Sequence, residues 1–420
     1  MTVAQRLAAL RAQGIIAVPE LQAPAGDAGS GPGWDVRLAG RLEHIGASSF
    51  YIQMEYAPNE FHGERALASF AQFSGEPLAP VVRDPEIAYL DPHTSVFLDT
   101  ETTGLNLGAG TCVFLIGLAW LDGSRLVARQ YFLDTPRDEP AVLVSLGALL
   151  EPFQALITFN GKSFDWPMLE NRYAYWRLPL PMERPLHLDL LHPARRLWRR
   201  RLDSCSLGSL EHHILGLRRT RADVPGWQIP ALYFQYQRTG YADPLEGVFY
   251  HNLHDVLSMV TLAMHMSGIL SDPLGGQVRE AIDFFALGRQ LERQEDERAA
   301  LCFEEALRLG LSAEDRADCL ARLASVHRRS RRWAEACHAW ELIVDGGGPL
   351  TSFALIELAK YFEHVERDYG QSMELVQQAM MLAELDGRPS DQYHDLAHRL
   401  SRLMGRARSP ARGRSWQSAR

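Results

Sequence analysis

Four acidic residues, in three separated segments, have the side-chain type and spacing of a metal site. They are Asp99 and Glu101 in SVFLDTETTGL, Asp165 in TFNGKSFDW and Asp255 in YHNLHDVLS. Burying one carboxylate without a partner costs free energy, but several carboxylates that share divalent cations can stay ionised inside a protein. Two such cations can activate water and neutralise the charge of a phosphodiester. The pattern therefore predicts two-metal phosphodiester hydrolysis.

These acidic residues are predicted to converge from three elements. Asp99 and Glu101 alternate along a strand, so their side chains leave the same face. Asp165 begins a helix and can reach the same point from an adjacent strand–helix junction. Asp255 lies on a late helix, and His251 stands one turn before it on the same face. The sequence thus predicts one pocket that all five side chains line.

The segment that carries these residues, 94–272, alternates short apolar strands with helices. SVFLDTET, ALITFNG and HLDLL have the apolar character of buried strands, and VFLIGLAWL and LVARQYFL flank a turn at Gly123 as a hairpin. Helices are predicted over Asp138–Leu150, SFDWPMLENRYAYW and Gly247–Met266. This order predicts an α/β, ribonuclease H-like fold with a mixed five-stranded sheet flanked by helices.

The rest of the chain is predicted to form two further regions and a tail. Residues 1–93 are an N-terminal extension with a short helix, a flexible Gly/Pro-rich linker, a strand over Ser48–Tyr56 and a helix over Glu60–Phe73. Residues 277–404 are wholly helical, and their apolar positions repeat at offsets of 36 and 35 residues. Such a period is typical of tetratricopeptide-like repeats. Residues 405–420 are basic and predicted to be disordered.

Composition places the chain among globular proteins. Its 420 residues are 46% hydrophobic and 23% charged, and the net charge of −9 argues against a uniformly basic nucleic-acid coat while permitting a local basic face. The five cysteines are scattered and lack a CxxC pair, so neither a zinc knuckle nor a disulfide framework is predicted. No apolar run reaches the length of a membrane span, which predicts a cytoplasmic protein without membrane contact.

The motifs DTETTG, NGKSFD and HNLHD, in this order, resemble the three exonuclease motifs of the DEDD superfamily, which has a ribonuclease H-like fold. FLDTETTGL, FNGKSFDWPML, LHLDLLHPARRLWRR and SCSLGSLE are similar to the YprB ribonuclease H-like domain family, over residues 94–268. The resemblance implies a metal-dependent 3′–5′ exonuclease with two Mg²⁺ or Mn²⁺ ions as cofactors. It implies that the ligands of these ions are Asp99, Glu101, Asp165 and Asp255. It also implies that the terminal nucleotide is held by a turn formed by Thr102, Thr103 and Gly104.

One position departs from the pattern of that superfamily. Its exonucleases carry a Tyr four residues or a His five residues before the last aspartate, whereas here His251 stands four before Asp255 and Tyr250 five before. His251 is predicted to orient or deprotonate the attacking water, because a neutral imidazole can act as a base near neutral pH. The alternative is that the metals suffice and His251 only supports their ligands.

Further residues are predicted to contact the nucleic acid. Lys162 can reach a scissile phosphate, with Asn160 and Phe164 of the same motif beside it. Arg195, Arg196 and Trp198 lie in a basic stretch, where the arginines can contact successive phosphates and the indole can stack on a base. The alternative is that this stretch is only a solvated helix face. Three arginines extend this surface, namely Arg218, Arg219 and Arg221. Asp189 is predicted as an outer ligand, a substrate contact or a structural cap for the following helix.

The predicted activity is exonucleolytic cleavage at a single-stranded end of DNA or RNA. One alternative is a non-catalytic adaptor that binds nucleic acid and recruits protein partners through its helical repeats. That alternative is disfavoured, because a retired site has no need to hold four like charges together. A second alternative is a structure-selective endonuclease with the same fold and metals.

Overall fold

The computed structural model describes residues 40–104, 106, 110–219, 224–294, 296–385 and 390–408. The chain divides after Asp272 into two compact units, one mixed α/β and one helical. The helix and linker predicted before residue 40 lie outside the described residues, as does the tail after Arg408. The final helix continues to Arg408, so the first residues of the predicted disordered tail are helical instead.

The strands of the α/β unit are β1 (Arg41–Ile45), β2 (Ser49–Tyr56), β3 (Phe61–His62), β4 (Arg65–Ala66), β5 (Ser95–Thr102), β6 (Val113–Asp122), β7 (Arg125–Phe132), β8 (Ala155–Thr158) and β9 (Leu186–Asp189). Seven of them form one sheet in the order β1-β2-β7-β6-β5-β8-β9. Neighbours from β1 to β5 are antiparallel, and β5, β8 and β9 are parallel. The predicted ribonuclease H-like mixed sheet is confirmed, with β5 at the junction of its antiparallel and parallel parts.

The predicted number of five strands is wrong, because the hairpin of β1 and β2 extends the sheet. Strand β2 pairs with β7 along its whole length, from Phe50 opposite Phe132 to Tyr56 opposite Leu126. Phe50 is buried, and its ring centroid lies 5.3 Å from that of Phe132. The apolar face of β2 therefore continues the core, and the described part of the predicted N-terminal extension belongs to the α/β unit.

The helix predicted over Glu60–Phe73 is wrong over its first part. Strands β3 and β4 form a small separate hairpin there, with Phe61 opposite Ala66. The chain turns at Gly63, whose φ of +65° is a left-handed conformation that glycine adopts without steric cost. Only the later residues are helical, as a 3-10 helix over Leu67–Gln72.

The α-helices of the α/β unit are α1 (Ala79–Val82), α2 (Glu139–Leu150), α3 (Asp165–Tyr175), α4 (Leu191–Trp198), α5 (Leu207–His213), α6 (Ile229–Thr239) and α7 (Leu245–Ser271). Short 3-10 helices lie at Pro85–Tyr89, Pro92–Thr94, Pro136–Asp138 and Gly226–Gln228. Helix α7 packs across β5, β6 and β7. Helices α2, α3 and α7 lie where the sequence predicts them, within two residues at each end except the C-terminal end of α7, which extends to Ser271.

Helix α7 also corrects the expectation that no apolar run reaches membrane-spanning length. Its 27 residues make it, within the described part of the chain, a helix long and apolar enough to cross a membrane. However, 72% of its most apolar stretch is buried inside the protein. Its hydrophobic character is therefore explained by packing on the sheet, since a helix that is apolar on most sides belongs in a core.

The helical unit contains α8 (Ala281–Leu291), α9 (Asp296–Leu309), α10 (Ala313–Arg329), α11 (Trp333–Gly346), α12 (Thr351–Tyr361), α13 (Tyr369–Leu385) and α14 (Ser390–Arg408), with a π-helical segment at Phe362–Glu366. Each helix packs against the next along the chain. Equivalent positions of the predicted repeat, such as Leu287, Leu323 and Leu358, are all buried. The predicted helical region is confirmed, whereas its assignment to the tetratricopeptide class stays a prediction.

Candidate metal-dependent active site

A buried chain of hydrogen bonds positions Asp99. The residue lies on β5 opposite Gly117 of β6. The side-chain amide of Asn252, on α7, donates to the Asp99 carboxylate over 2.8 Å. Gln130, on β7, donates to the side-chain oxygen of Asn252 over 2.8 Å and so fixes the orientation of that amide. Nothing in the spacing of HNLHD indicates this role for Asn252, because only the fold brings α7 against β5.

Asp165 is held at the point where β8 stops pairing with β5. The parallel ladder between these strands ends at Phe97 opposite Ile157, so it leaves the backbone N–H of Thr100 without a partner on β8. The carboxylate of Asp165, in the first turn of α3, accepts this N–H over 3.1 Å and also accepts the Thr100 hydroxyl. The strand end therefore explains why an acidic residue is placed at this buried helix start.

Asp255 and His251 form the third side of the site, one turn apart on α7. The His251 Nε2 atom lies 3.3 Å from the Asp255 carboxylate and 3.9 Å from that of Glu101. The guanidinium of Arg219 donates to Asp255 and lies 3.2 Å, through Nη1, from His251 Nδ1. His251 and Arg219 together lower the pKa of Asp255, although burial acts in the opposite direction. Asp255 is thus kept ionised inside the protein.

The four carboxylates are close enough to affect one another. Burial raises the pKa of Asp99 well above its ordinary value, and the negative charges of Asp255, Asp165 and Glu101 raise it further. Burial likewise raises the pKa of Asp165 to about 6, against the hydrogen bonds from Thr100. The structure therefore brings together the acidic residues of all three motifs, at a free-energy cost that a cation among them would remove.

The donor chemistry of this site fits a hard divalent cation. Mg²⁺ and Mn²⁺ prefer carboxylate oxygens, which are what the three motifs supply. In the arrangement described, Thr100, Asn252 and Arg219 hold carboxylate oxygens by hydrogen bonds. No three metal-binding side chains among the described residues are already grouped around a single point. Asp255 would have to exchange its contact with Arg219 to coordinate an ion through the same oxygen.

Comparison with known proteins supports the fold assignment. A family model described as the RNase_H superfamily matches residues 96–267, from β5 into α7. The chain is also 36% identical, over 310 residues, to "Uncharacterized protein YprB" of Bacillus subtilis (strain 168), a match that covers 73% of this chain and 74% of that protein. The chain belongs to the YprB family. The segment matched by the family model contains Asp99, Glu101, Asp165 and Asp255.

Other predicted contacts of the YprB-family chain lie in the loops beside the acidic residues. Thr103 pairs with Cys112 through its backbone N–H and accepts the Cys112 N–H at its hydroxyl, and Thr102 donates to the Gly104 carbonyl over 2.8 Å. These contacts shape the turn after β5. Asp189 accepts the backbone N–H groups of Asn160, Lys162 and Leu191, so it is a structural cap of two loops. Its charge also raises the pKa of Asp165, and a role as an outer ligand or a substrate contact stays a prediction.

The loop after β8 presents different surfaces. Asn160 adopts a left-handed conformation with φ of +69°, and the side chain of Lys162 is exposed. Phe164 is partly buried and packs against the hydrophobic core. Lys162 is therefore accessible to a phosphate, whereas the ring of Phe164 mainly supports the loop that begins α3.

Two predictions for the basic surface are wrong. Trp198 is only 2% exposed and stacks on His265, with ring centroids 6.0 Å apart, so it has no free face for a base. Arg219 points into the acidic site instead of extending the outer surface. Arg195 is exposed on α4, as predicted for a phosphate contact, while Arg196 is partly buried. Arg221 lies outside the described residues.

Gly117 of β6, which no sequence motif marks as a site residue, allows α7 to approach the sheet. A Cβ atom at this position would lie 2.4 Å from the Asn252 side-chain oxygen and 2.8 Å from Val256. A glycine inside a strand commonly marks such a close approach. We expect Gly117→Ala to displace Asn252 from Asp99, to destabilise the fold by about 1–3 kcal/mol and to reduce the predicted nuclease activity more than the lost stability explains.

Gly208→Ala is the matched control, because a Cβ at Gly208 of α5 meets no atom within 4 Å. Chemical denaturation and activity, measured at a temperature where both variants are folded, provide the comparison. Gly117→Ala with the activity and stability of Gly208→Ala would show that the Asn252 contact does not matter.

The raised pKa of Asp165 predicts how stability varies with pH in metal-free protein. Because its folded-state pKa of about 6 exceeds the ordinary aspartate value of 3.8, folding favours the protonated carboxyl. The contribution of Asp165 to the free energy of unfolding is thus most favourable below pH 4. It falls by on the order of 2 kcal/mol as the pH rises through about 6. Thermal unfolding of wild type and Asp165→Asn from about pH 4 to 7 tests this. The difference between the two proteins should change in favour of the variant as the pH rises, and a constant difference would contradict the prediction.

Proposed function

We propose that the chain is a metal-dependent nuclease, a 3′–5′ exonuclease that hydrolyses phosphodiester bonds of DNA or RNA. The observation that carries the proposal is that Asp99, Glu101, Asp165 and Asp255 lie on one side of a ribonuclease H-like fold, near enough for the charges of the other three to raise the pKa of Asp99. Such a concentration of like charge destabilises a fold unless cations neutralise it. The same carboxylates give the order and spacing of the DEDD motifs.

In this proposal the four carboxylates would hold two Mg²⁺ or Mn²⁺ ions. When bound, the ions supply an acidified water and positive charge against the phosphate. The chain itself keeps the carboxylate oxygens oriented before substrate binds, through Asn252 for Asp99 and Thr100 for Asp165. Fixed groups of this kind need little reorganisation during the reaction. His251, whose Nε2 atom faces Glu101 and Asp255, orients groups at the site.

The substrate is proposed to be a single-stranded end of nucleic acid. The exposed arginines on and after α4, Arg195, Arg199 and Arg200, form a local positive surface on a chain of negative net charge. Arginine contacts to phosphate supply affinity without reading sequence. The turn at Thr102–Gly104 and the exposed Lys162 lie in the loops beside the carboxylates and are the proposed contacts of the terminal nucleotide. Since none of the five cysteines forms a disulfide, the reducing cytoplasm is the proposed compartment.

The test is a panel of end-labelled single- and double-stranded DNA and RNA, incubated with Mg²⁺ or Mn²⁺ and with chelator. We expect stepwise shortening from the 3′ end of at least one substrate, only with a divalent ion and not with Asp99→Asn. Binding without cleavage under either ion would instead support the adaptor, and internal cuts would support an endonuclease.

A further inference from the structure

Arg219, which the sequence pattern places on an outer surface, is buried beside the acidic site, and its contacts define a role. It follows α5 and the short loop after that helix. The backbone N–H of Leu217 donates to the Glu211 carbonyl over 2.8 Å, which turns the loop back onto α5. The side chain of Arg219 is only 11% exposed. A buried guanidinium needs partners for its fixed fork of donors.

The first partner anchors the fork. Glu211, on α5, accepts Arg219 Nε at one oxygen and Nη2 at the other, each over 2.8 Å. The Glu211 side chain is 4% exposed. This bidentate pair fixes both the position and the plane of the guanidinium.

The remaining donors are directed at two residues of the site. Nη2 also donates to Asp255, and Nη1 lies 3.2 Å from His251 Nδ1. An ion pair that served only to neutralise Glu211 would have no need of the His251 contact. Arg219 instead spans one turn of α7 and binds both functional residues on that turn.

The contact with His251 determines which imidazole nitrogen carries the proton. A guanidinium can only donate hydrogen bonds, so His251 Nδ1 accepts and the proton of the neutral ring is on Nε2. That atom is the one near Asp255 and Glu101. We propose that Arg219 is a positioning residue that holds His251 as an Nε2–H donor facing the acidic site.

This proposal rests on the proposed function only in treating His251 as part of the reaction site. It changes the expectation that His251 deprotonates water, because neither nitrogen then offers a free lone pair. An Nε2–H group orients a carboxylate, a water or a phosphate oxygen by donating to it.

The experiment is nitrogen-15 NMR of the full-length, metal-free protein with labelled histidine, with the pH raised until the nitrogen shifts of His251 are those of a neutral ring. The His251→Gln variant identifies the His251 signals. Wild type should show a protonated Nε2 and an unprotonated Nδ1 at His251. A predominantly Nδ1–H ring in wild type would overturn the proposal without any need for a variant at Arg219.

Glu211→Gln/Arg219→Gln is the informative variant, because it removes the guanidinium without leaving Glu211 buried and unpaired. The ratio of the Nε2–H to the Nδ1–H form should fall at least about fivefold, the weight of one ordinary hydrogen bond. Arg219→Lys serves if the double variant does not fold, since a lysine keeps the charge but lacks the fork, and it should lower the ratio too. Arg125→Gln, which disrupts an exposed pair with Glu55, should leave the ratio unchanged.

An unchanged ratio in a folded Arg219 variant would assign Arg219 a purely structural role and overturn the proposal. Because the readout uses metal-free protein without substrate, it is independent of turnover. A protein with the expected tautomer and no nuclease activity would refute the proposed function alone, and an active nuclease with the opposite tautomer would refute only the role of Arg219.

Discussion

Asp99→Asn is expected to reduce nuclease turnover by about a hundred- to a thousandfold or more, the usual effect of removing one preorganised electrostatic group from an active site. The same variant should raise the Tm of the metal-free protein. Burial and three neighbouring carboxylates raise the pKa of Asp99, so at about pH 8 folding must either bury its charge or take up a proton, and both cost free energy. Asparagine has neither cost and can still accept the hydrogen bond from Asn252.

The opposite signs of these two effects distinguish a functional residue from a structural one. Asp122→Asn, at the exposed end of β6, is the matched control and should change neither activity nor Tm. Labelled-substrate cleavage and thermal unfolding with chelator present give the two readouts. Asp99→Asn with wild-type activity, or with a lower Tm and no other defect, would show that Asp99 does not belong to a strained acidic site.

Arg172→Met is expected to destabilise the fold by about 3–5 kcal/mol, because it leaves a buried carboxylate without its cation. Arg172, on α3, donates to Glu139, on α2, through Nε over 2.6 Å and also through Nη2. The two side chains are 5% and 3% exposed. Trp176 donates to the same carboxylate over 2.6 Å. The pair joins α2 to α3, the helix that begins with Asp165.

Urea unfolding of wild type and variant measures this effect. Arg125→Met is the control, since Arg125 and Glu55 form a pair whose side chains are 60% and 51% exposed, and its loss should cost less than about 1 kcal/mol. Arg172→Met/Glu139→Met should recover much of the lost stability, because no charge is then left buried. If Arg172→Met costs no more than Arg125→Met, the pair is accessible to water and the interpretation is wrong.

The parts of the fold that the sequence predicts are those encoded locally. Strand β5 is an apolar run that ends in polar residues, and α3 begins at an acidic residue. The hairpin of β6 and β7 has the turn predicted at Gly123, with Asp122 opposite Arg125. The acidic motifs are recognisable for the same reason, because each is a short string of residues on one element.

The parts that were missed depend on contacts between distant segments. Gln130 and Asn252 are 122 residues apart, and neither has a spacing that indicates it orients Asp99. The apolar residues of β2 predict a strand but not its partner, because only the fold brings β7 beside it. The sequence predicts Trp198 on a stacking surface because arginines surround it, but the helix turns its indole inward while Arg195 stays exposed. Arg219 presents the reverse case, a cation in a basic run that the fold directs at buried carboxylates.

The most direct measurement of the central claim is anomalous diffraction from a crystal grown or soaked with Mn²⁺. Two manganese peaks are expected about 4 Å apart. Oxygens of Asp99, Glu101, Asp165 and Asp255 should lie about 2.0–2.6 Å from them. Absence of manganese from this pocket at a concentration that supports cleavage, with Asp255 still bound to Arg219, would contradict the account.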